Sequence, residues 1–176
     1  LFLAGSARKD SFNKKLARIA ASLAEEQGAN ATFIDLKDFP MPIYDGDLEA
    51  ESGIPEEAKR LKQLFREHAG FFIASPEYNS SFAPLLKNAL DWISRPHEDN
   101  EPPLVAYRGK VAALAAASPG GFGGLRGLVP LRMMLGNIGV LVVPNQLAVS
   151  FAGKAFDAEG NLVDDKQKSA LEGVIN

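Results

Sequence analysis

The run Gly70-Phe71-Phe72-Ile73-Ala74-Ser75 is the most restrictive feature of this chain. It shows no polar alternation, so neither side of the segment is built for water. That is the pattern of a parallel strand covered on both faces. Similar short apolar runs recur along the 176 residues, separated by stretches with helical spacing. Leu1–Gly5 reads as a buried strand that stops at a glycine. A polar loop leads from it into a helix over about Ser11–Gln27, where Leu16, Ile19, Ala20 and Leu23 recur and Gly28 ends the pattern. Ala31–Leu36 reads as the second strand, and Phe39–Leu48, broken by Pro40, Pro42 and Gly46, as an irregular loop. Pro55 opens a helix whose apolar stripe is Ala58, Leu61 and Phe65. The Gly70 run is the third strand. Beyond a loop at Pro76–Phe82, Leu86, Ala89, Leu90 and Ile93 mark another helix. Gly109–Ala117 is the fourth strand, and a helix carrying Leu128, Leu131, Leu135 and Ile138 leads to a fifth at Val140–Val143. Phe156–Leu162 reads as a hairpin turning at Glu159-Gly160-Asn161, and a last helix starts near Asp164.

Strands alternating with helices predict an α/β fold, a doubly wound five-stranded parallel sheet with helices on both faces. No repeat or linker interrupts it, so one domain over residues 1–176 is expected. The first strand reads as lacking its start and the last helix as cut off at Asn176. Composition matters chiefly for what it removes. There is no Cys, which excludes disulfides, thiolate catalysis and thiolate metal sites. Redox work would therefore need a bound cofactor to carry electrons. The formal net charge is −3 and the basic residues are scattered, which argues against a nucleic-acid partner. No apolar stretch reaches the ~20 residues of a membrane span, and no leader is visible, so a cytoplasmic protein is expected.

In such sheets the ligand lies beyond the carboxyl ends of the strands, and three distinctive loops fall there. Gly5-Ser6-Ala7-Arg8-Lys9-Asp10-Ser11-Phe12-Asn13 follows the first strand and opens the first helix. A helix start presents free N–H groups and partial positive charge, which suits a phosphate. Ser6, Ser11 and Asn13 add donors, and Arg8 adds a charge-assisted bond. Plain helix capping by Ser11 explains part of the same pattern. Ser75-Pro76-Glu77-Tyr78-Asn79-Ser80-Ser81-Phe82-Ala83-Pro84 follows the third strand. Tyr78 offers a flat face and the amides around Asn79 suit a polar heteroaromatic edge; a simple connecting turn is the alternative. Ser118-Pro119-Gly120-Gly121-Phe122-Gly123-Gly124 follows the fourth strand. Its glycines permit close backbone approach to a ligand, or a flexible lid.

Hydrolytic constellations are missing. His68 and His97 stand in no metal-ligand spacing, and His68, ending a helix, suits a structural role. There is no GxSxG elbow. Asp45 and Asp47 read as a solvated loop.

With Gly5-Ser6-x-Arg8-x-x-Ser11-x-Asn13, Pro76-Glu77-Tyr78-Asn79, Leu86-Lys87-Asn88-Ala89-Leu90-Asp91-Trp92 and the Ser118 loop in order, the chain resembles the NADPH-dependent FMN reductase family, which includes quinone, azo-dye and chromate reductases. The resemblance implies a flavodoxin-like three-layer fold with strand order 2-1-3-4-5 and noncovalent FMN. It implies phosphate contacts from Ser6, Arg8, Ser11 and Asn13, with Phe12 also among the cofactor-binding residues. Pro76, Glu77, Tyr78 and Asn79 would line the ribityl chain and ring, with Ser118, Gly120 and Gly121 on the other side. NADPH or NADH would give hydride to the flavin, and a small acceptor would then take the electrons, with no side chain acting as acid or base. The alternatives are an electron carrier of the flavodoxin type and a flavin-binding redox sensor. The resemblance further implies a homodimer or homotetramer, with Trp92, Arg95 and Pro96 as contact candidates, though Trp92 equally suits the core. Arg126 is a candidate for an NADPH phosphate. The acidic stretch Pro96–Pro103 reads as a solvated loop.

Overall fold

A computed structural model describes residues 1–176. Its centre is a five-stranded parallel sheet made of β1 (Phe2–Ala4), β2 (Phe33–Asp35), β3 (Gly70–Ala74), β6 (Val111–Ala117) and β7 (Leu141–Val149), in the order β2-β1-β3-β6-β7. Counting only these five, the order is the expected 2-1-3-4-5, and all pairs are parallel. The apolar runs occupy the middle of the sheet because helices cover both faces. On one face α1 (Phe12–Glu26) and α7 (Asp165–Ile175) enclose Leu16, Ala20, Phe72, Ala115 and Leu171. On the other, α3 (Glu56–Glu67), α4 (Pro84–Ser94) and α5 (Leu125–Asn137) enclose Leu61, Phe65, Ile73, Leu86, Leu114 and Leu131. No helix is long and apolar enough to cross a membrane.

Several boundaries depart from the sequence reading. The second strand is only three residues long and turns into a 3-10 segment, Leu36–Asp38, because the Asp35 side chain accepts from the Lys37 N–H and caps it. Part of the expected irregular loop is a short helix, α2 (Gly46–Ser52), started by Asp45 accepting from the Asp47 N–H. The fifth strand does not end at Val143. Pro144 cannot donate to the ladder, so the register shifts there and pairing resumes at Leu114 with Gln146. Arg132 covers the irregularity, donating to the carbonyls of Val142 and Val143 and to Gln146 Oε1. The hairpin at Phe156–Leu162 reduces to one antiparallel bridge between those two residues, followed by α7.

His68 has the structural role expected of it. Its Nδ1 donates to the Leu64 carbonyl at 2.7 Å, leaving Nε2 3.0 Å from the Thr32 hydroxyl. Trp92 lies in the core, fully buried, with Nε1 donating to the Pro42 carbonyl. The acidic stretch after α4 is not wholly solvated. Glu101 is 2% exposed and pairs with Lys62 of α3, itself 1% exposed. Lys62 also donates to the Arg95 carbonyl at 2.6 Å, and the His97 N–H donates to Glu101. A cation on α3 thus folds the loop back onto the domain, an arrangement invisible in a one-dimensional charge count.

Candidate functional site

The carboxyl ends of β1, β3 and β6 carry the three loops singled out above, and the fold brings them to one cleft. The cleft holds about 430 Å³ and is lined by Ser6, Arg8, Ser11, Phe12, Asn13, Pro76, Glu77, Tyr78 and Ser118, with Ala117 and Pro119. That volume lies within the ~300–1,000 Å³ usual for small-molecule sites. A larger cleft of about 710 Å³ opens at the opposite ends of the strands, around Leu1, Gly70 and Val111. It carries none of the loops and lies on the wrong side of the sheet for a ligand of this fold.

Close approach of the first two loops depends on Gly5. A Cβ there would stand 3.1 Å from that of Leu86 and 3.4 Å from Pro76 Cδ. Ser11 caps α1 by accepting from the Lys14 N–H at 3.4 Å, and Ser6 accepts from the Arg8 N–H at 3.3 Å. The N–H groups of Phe12 and Asn13 find no acceptor in the protein, which leaves donors at the positive end of the helix dipole. Arg8 has no carboxylate partner and rests 5.4 Å above the Phe12 ring. Phe12 in turn stacks on Phe156 at 5.9 Å.

Asn13 is committed to the fold. Its Nδ2 donates to the Ala117 carbonyl at 3.0 Å and its Oδ1 accepts from the Ala117 N–H at 2.9 Å. This pair ties the first loop to the end of β6, 104 residues away. Asn13→Ala should therefore cost about 1–3 kcal/mol, since both Ala117 groups lose their partner in a buried place. Urea unfolding of the variant measures it; an unchanged midpoint would mean water replaces the amide freely.

The second loop is a hairpin rather than a plain turn. β4 (Glu77–Tyr78) pairs antiparallel with β5 (Ser81–Phe82), and the central residues Asn79 and Ser80 both have positive φ, at 52° and 65°. Such a turn needs two left-handed residues, and Asn accepts that region more readily than most. Two-residue strands are too short to show a period, which is why the pattern gave no warning. Asn79 therefore sits at the exposed tip, outside the cleft lining, while Tyr78 reaches it.

Glu77 turns toward α5. Its Oε1 accepts from Arg126 Nε at 2.8 Å and Nη2 at 2.7 Å, and its Oε2 from the Gly127 N–H at 3.2 Å. A carboxylate at a helix start is favoured by the dipole, and α5 has no capping side chain of its own. Arg126 is thus engaged in holding the hairpin to the helix. The third loop is fixed from below. The Ser118 hydroxyl accepts from the Gly120 N–H, Phe151 N–H donates to the Gly120 carbonyl, and Ser150 Oγ donates to the Gly121 carbonyl. Gly120 and Gly121 border the cleft rather than line it.

A 2-1-3-4-5 sheet with a phosphate-type loop, an aromatic hairpin and a glycine loop at successive strand ends defines a flavodoxin-like protein. The family described as NADPH-dependent FMN reductase matches residues 1–154. An NADPH:quinone oxidoreductase of Arabidopsis thaliana is 37% identical, over 98% of this chain and 86% of its own length. An NAD(P)H-dependent FMN reductase of Pseudomonas aeruginosa is 35% identical, over 98% and 88%. Among solved structures, the flavoenzyme NAD(P)H:(acceptor) oxidoreductase FerB of Paracoccus denitrificans superposes with a TM-score of 0.81 at 32% identity, over 98% of this chain and 90% of its own. The chain belongs to the NADPH-dependent FMN reductase family, and is an NAD(P)H-dependent oxidoreductase that works through FMN.

Proposed function

We propose that the cleft between the three loops seats FMN and that the acceptor is a small quinone-like ring. The observation that carries this is the state of the first loop. Arg8 is an uncommitted cation beside the unpartnered N–H groups of Phe12 and Asn13, with Ser6 and Ser11 next to them. A phosphate monoester meets all of these needs at once. Tyr78 and the Ser118–Gly121 segment would flank the isoalloxazine, and Pro76 would set the turn between them. Asn13 and Glu77 support the seat through Ala117 and α5 rather than touching the ligand with their committed atoms.

FMN, when bound there, would supply two-electron redox chemistry between a nicotinamide and the acceptor. The chain's own part is to bind, orient and partly shield that group. Glu77, the carboxylate of the cleft lining, is engaged by Arg126. A planar acceptor fits because Tyr78, which lines the cleft and is 53% exposed, offers it a flat face. The quinone reductases among the relatives point the same way.

We further infer that residues 1–176 work as one domain, in the cytoplasm where NAD(P)H is made, and as a homodimer or homotetramer. Leu125, Val129 and Met133 lie one turn apart along α5 and are exposed, a stripe suited to self-association. Arg95 is less suited to that role, because Glu49 accepts from its Nε at 2.9 Å.

The test is an anaerobic visible spectrum of the FMN-loaded protein before and after NADPH, and again after a quinone. Bleaching followed by recovery is expected. Bound flavin that neither NADPH nor NADH bleaches would reject the assignment, as would failure to bind flavin. Arg8→Ala should weaken FMN binding by about tenfold or more; unchanged affinity would remove Arg8 from the phosphate seat.

A further inference from the structure

Next to the flavin cleft, at the exit of β7, one aromatic residue is held in a backbone conformation that suits it poorly. Phe151 has φ 50° and ψ 43°, in the left-handed region, and it is 64% exposed. A bulky side chain in that region is strained, and one left in water gains little burial in return. The chain nevertheless fixes it there. The Phe151 N–H donates to the Gly120 carbonyl at 3.2 Å, and the Ala152 N–H donates to the Ser118 carbonyl at 3.0 Å. On the other side the Ser150 hydroxyl donates to the Gly121 carbonyl at 2.7 Å. Three successive residues are thereby tied to the glycine loop that borders the cleft. The ring lies against the same loop, since a Cβ on Gly121 would stand 3.5 Å from Phe151 Cζ. Glycine would adopt this backbone without strain, so the fold itself has no need of the phenyl group.

Phe151 is one wall of a second cleft of about 480 Å³, completed by Pro119, Gly153 and Lys154. Pro119 also lines the flavin cleft, so the two concavities meet at that residue. Tyr78 lines the first and Phe151 the second, which offers a flat molecule an aromatic surface in each. Lys154, on the short helix α6 (Ala152–Ala155), is exposed and forms no ion pair. No carboxylate lines this cleft. An aromatic face and an unneutralised ammonium in one small lining suit a planar ring that carries negative charge. A neutral ring would use only the first, and a bare anion only the second. Acceptors with both features are the acidic quinones and related rings, in which a carboxylate, sulfonate or ionised hydroxyl is attached to the reducible ring.

We propose that Phe151 and Lys154 form an acceptor subsite that makes the enzyme favour planar acceptors bearing an anionic substituent over their neutral counterparts. This rests on the reading that FMN fills the neighbouring cleft and reduces a small ring. Phe151 stacks on the acceptor and Lys154 pairs with its substituent. The test is an equilibrium titration of the oxidised, FMN-loaded protein with 1,4-naphthoquinone and with 1,4-naphthoquinone-2-sulfonate, read as the flavin difference spectrum. Nicotinamide is left out, so nothing turns over. The sulfonate should bind about fivefold more tightly. That gap should close in Lys154→Ala but persist in Lys59→Ala, which removes the same charge from α3, across the sheet. The kcat/KM ratio of the sulfonate over the parent quinone should fall by the same factor in Lys154→Ala. Phe151→Gly should weaken both ligands by about threefold or more and raise the thermal midpoint, because it relieves the left-handed strain. Equal affinity for the two naphthoquinones, or a preference that survives Lys154→Ala, would overturn the proposal. A Phe151→Gly variant that lost stability and bound both ligands as before would give the ring a structural role alone, and would overturn it too. Adenosine 5′-monophosphate binding as tightly as the sulfonate would overturn the acceptor assignment in favour of a nucleotide seat. Failure of the flavin reading would show separately, as a protein that retains no FMN.

Discussion

Lys62→Met should lower the unfolding free energy by about 3–5 kcal/mol, because it leaves one charge of a buried pair without its partner. Lys62 and Glu101 are 1% and 2% exposed, so water cannot take over from the missing ammonium. The Arg95 carbonyl, 2.6 Å from Lys62 Nζ, loses its donor as well. Lys62→Met/Glu101→Gln should recover much of the loss, since two neutral groups remove the uncompensated charge. Urea unfolding with an unchanged m-value measures both. A loss below about 1 kcal/mol in the single variant would mean the loop opens and hydrates Glu101. The acid limb gives an independent check. Burial pushes the Glu101 carboxyl up, but its bond to Lys62, the His97 N–H and the charges of both residues outweigh this and hold it below the usual carboxylate range. A group depressed in the folded state contributes stability above its unfolded pKa, and loses it as pH falls through the folded one. The gap between wild type and Lys62→Met should therefore be widest at neutral pH and narrow in acid, where a protonated Glu101 no longer needs the ammonium.

Gly123→Ala should cost about 2–5 kcal/mol and weaken FMN binding by about tenfold or more. Gly123 has φ +62°, and a Cβ there would stand 2.7 Å from the Ala148 carbonyl carbon, 2.8 Å from the Ser150 nitrogen and 2.8 Å from the Val149 carbonyl carbon. These are backbone atoms of β7 and its exit, so no rotamer change relieves the clash. The left-handed conformation adds about 1–2 kcal/mol for a residue with a Cβ, and overpacking typically about 1–3. The loop would move off β7 and take Ser118 and Gly120 with it, since they bond to Val149, Phe151 and Ala152. Gly136→Ala is the control: it lies in α5 away from the cleft, and a Cβ there would meet nothing within 4 Å. Thermal unfolding and FMN titration of the two variants should separate them clearly. Equal behaviour would show that the loop is free to shift, and would remove the backbone approach as a determinant of the site.

Much of this architecture is local, and local order is what a sequence records. The apolar run at Gly70–Ser75 and the stripes at Leu16–Leu23 and Ala58–Phe65 fix period and burial directly, so strand, helix and sheet class follow from them. Ser11 and Gly5 mark the ends where a loop must turn, so the site's three loops fall in place once the strands alternate with helices. Pro144, the two-residue strands at Glu77 and Ser81, and the short helix after Asp45 escaped because they are breaks in a pattern or too brief to make one. What only tertiary structure decided are pairings between distant residues: Asn13 with Ala117, Glu77 with Arg126, and Lys62 with Glu101. The reason is physical. Periodicity reports which side of an element is dry, but a charge or amide spends its bonding capacity on whatever the fold brings within about 3 Å, and that neighbour is set by packing rather than by position in the chain.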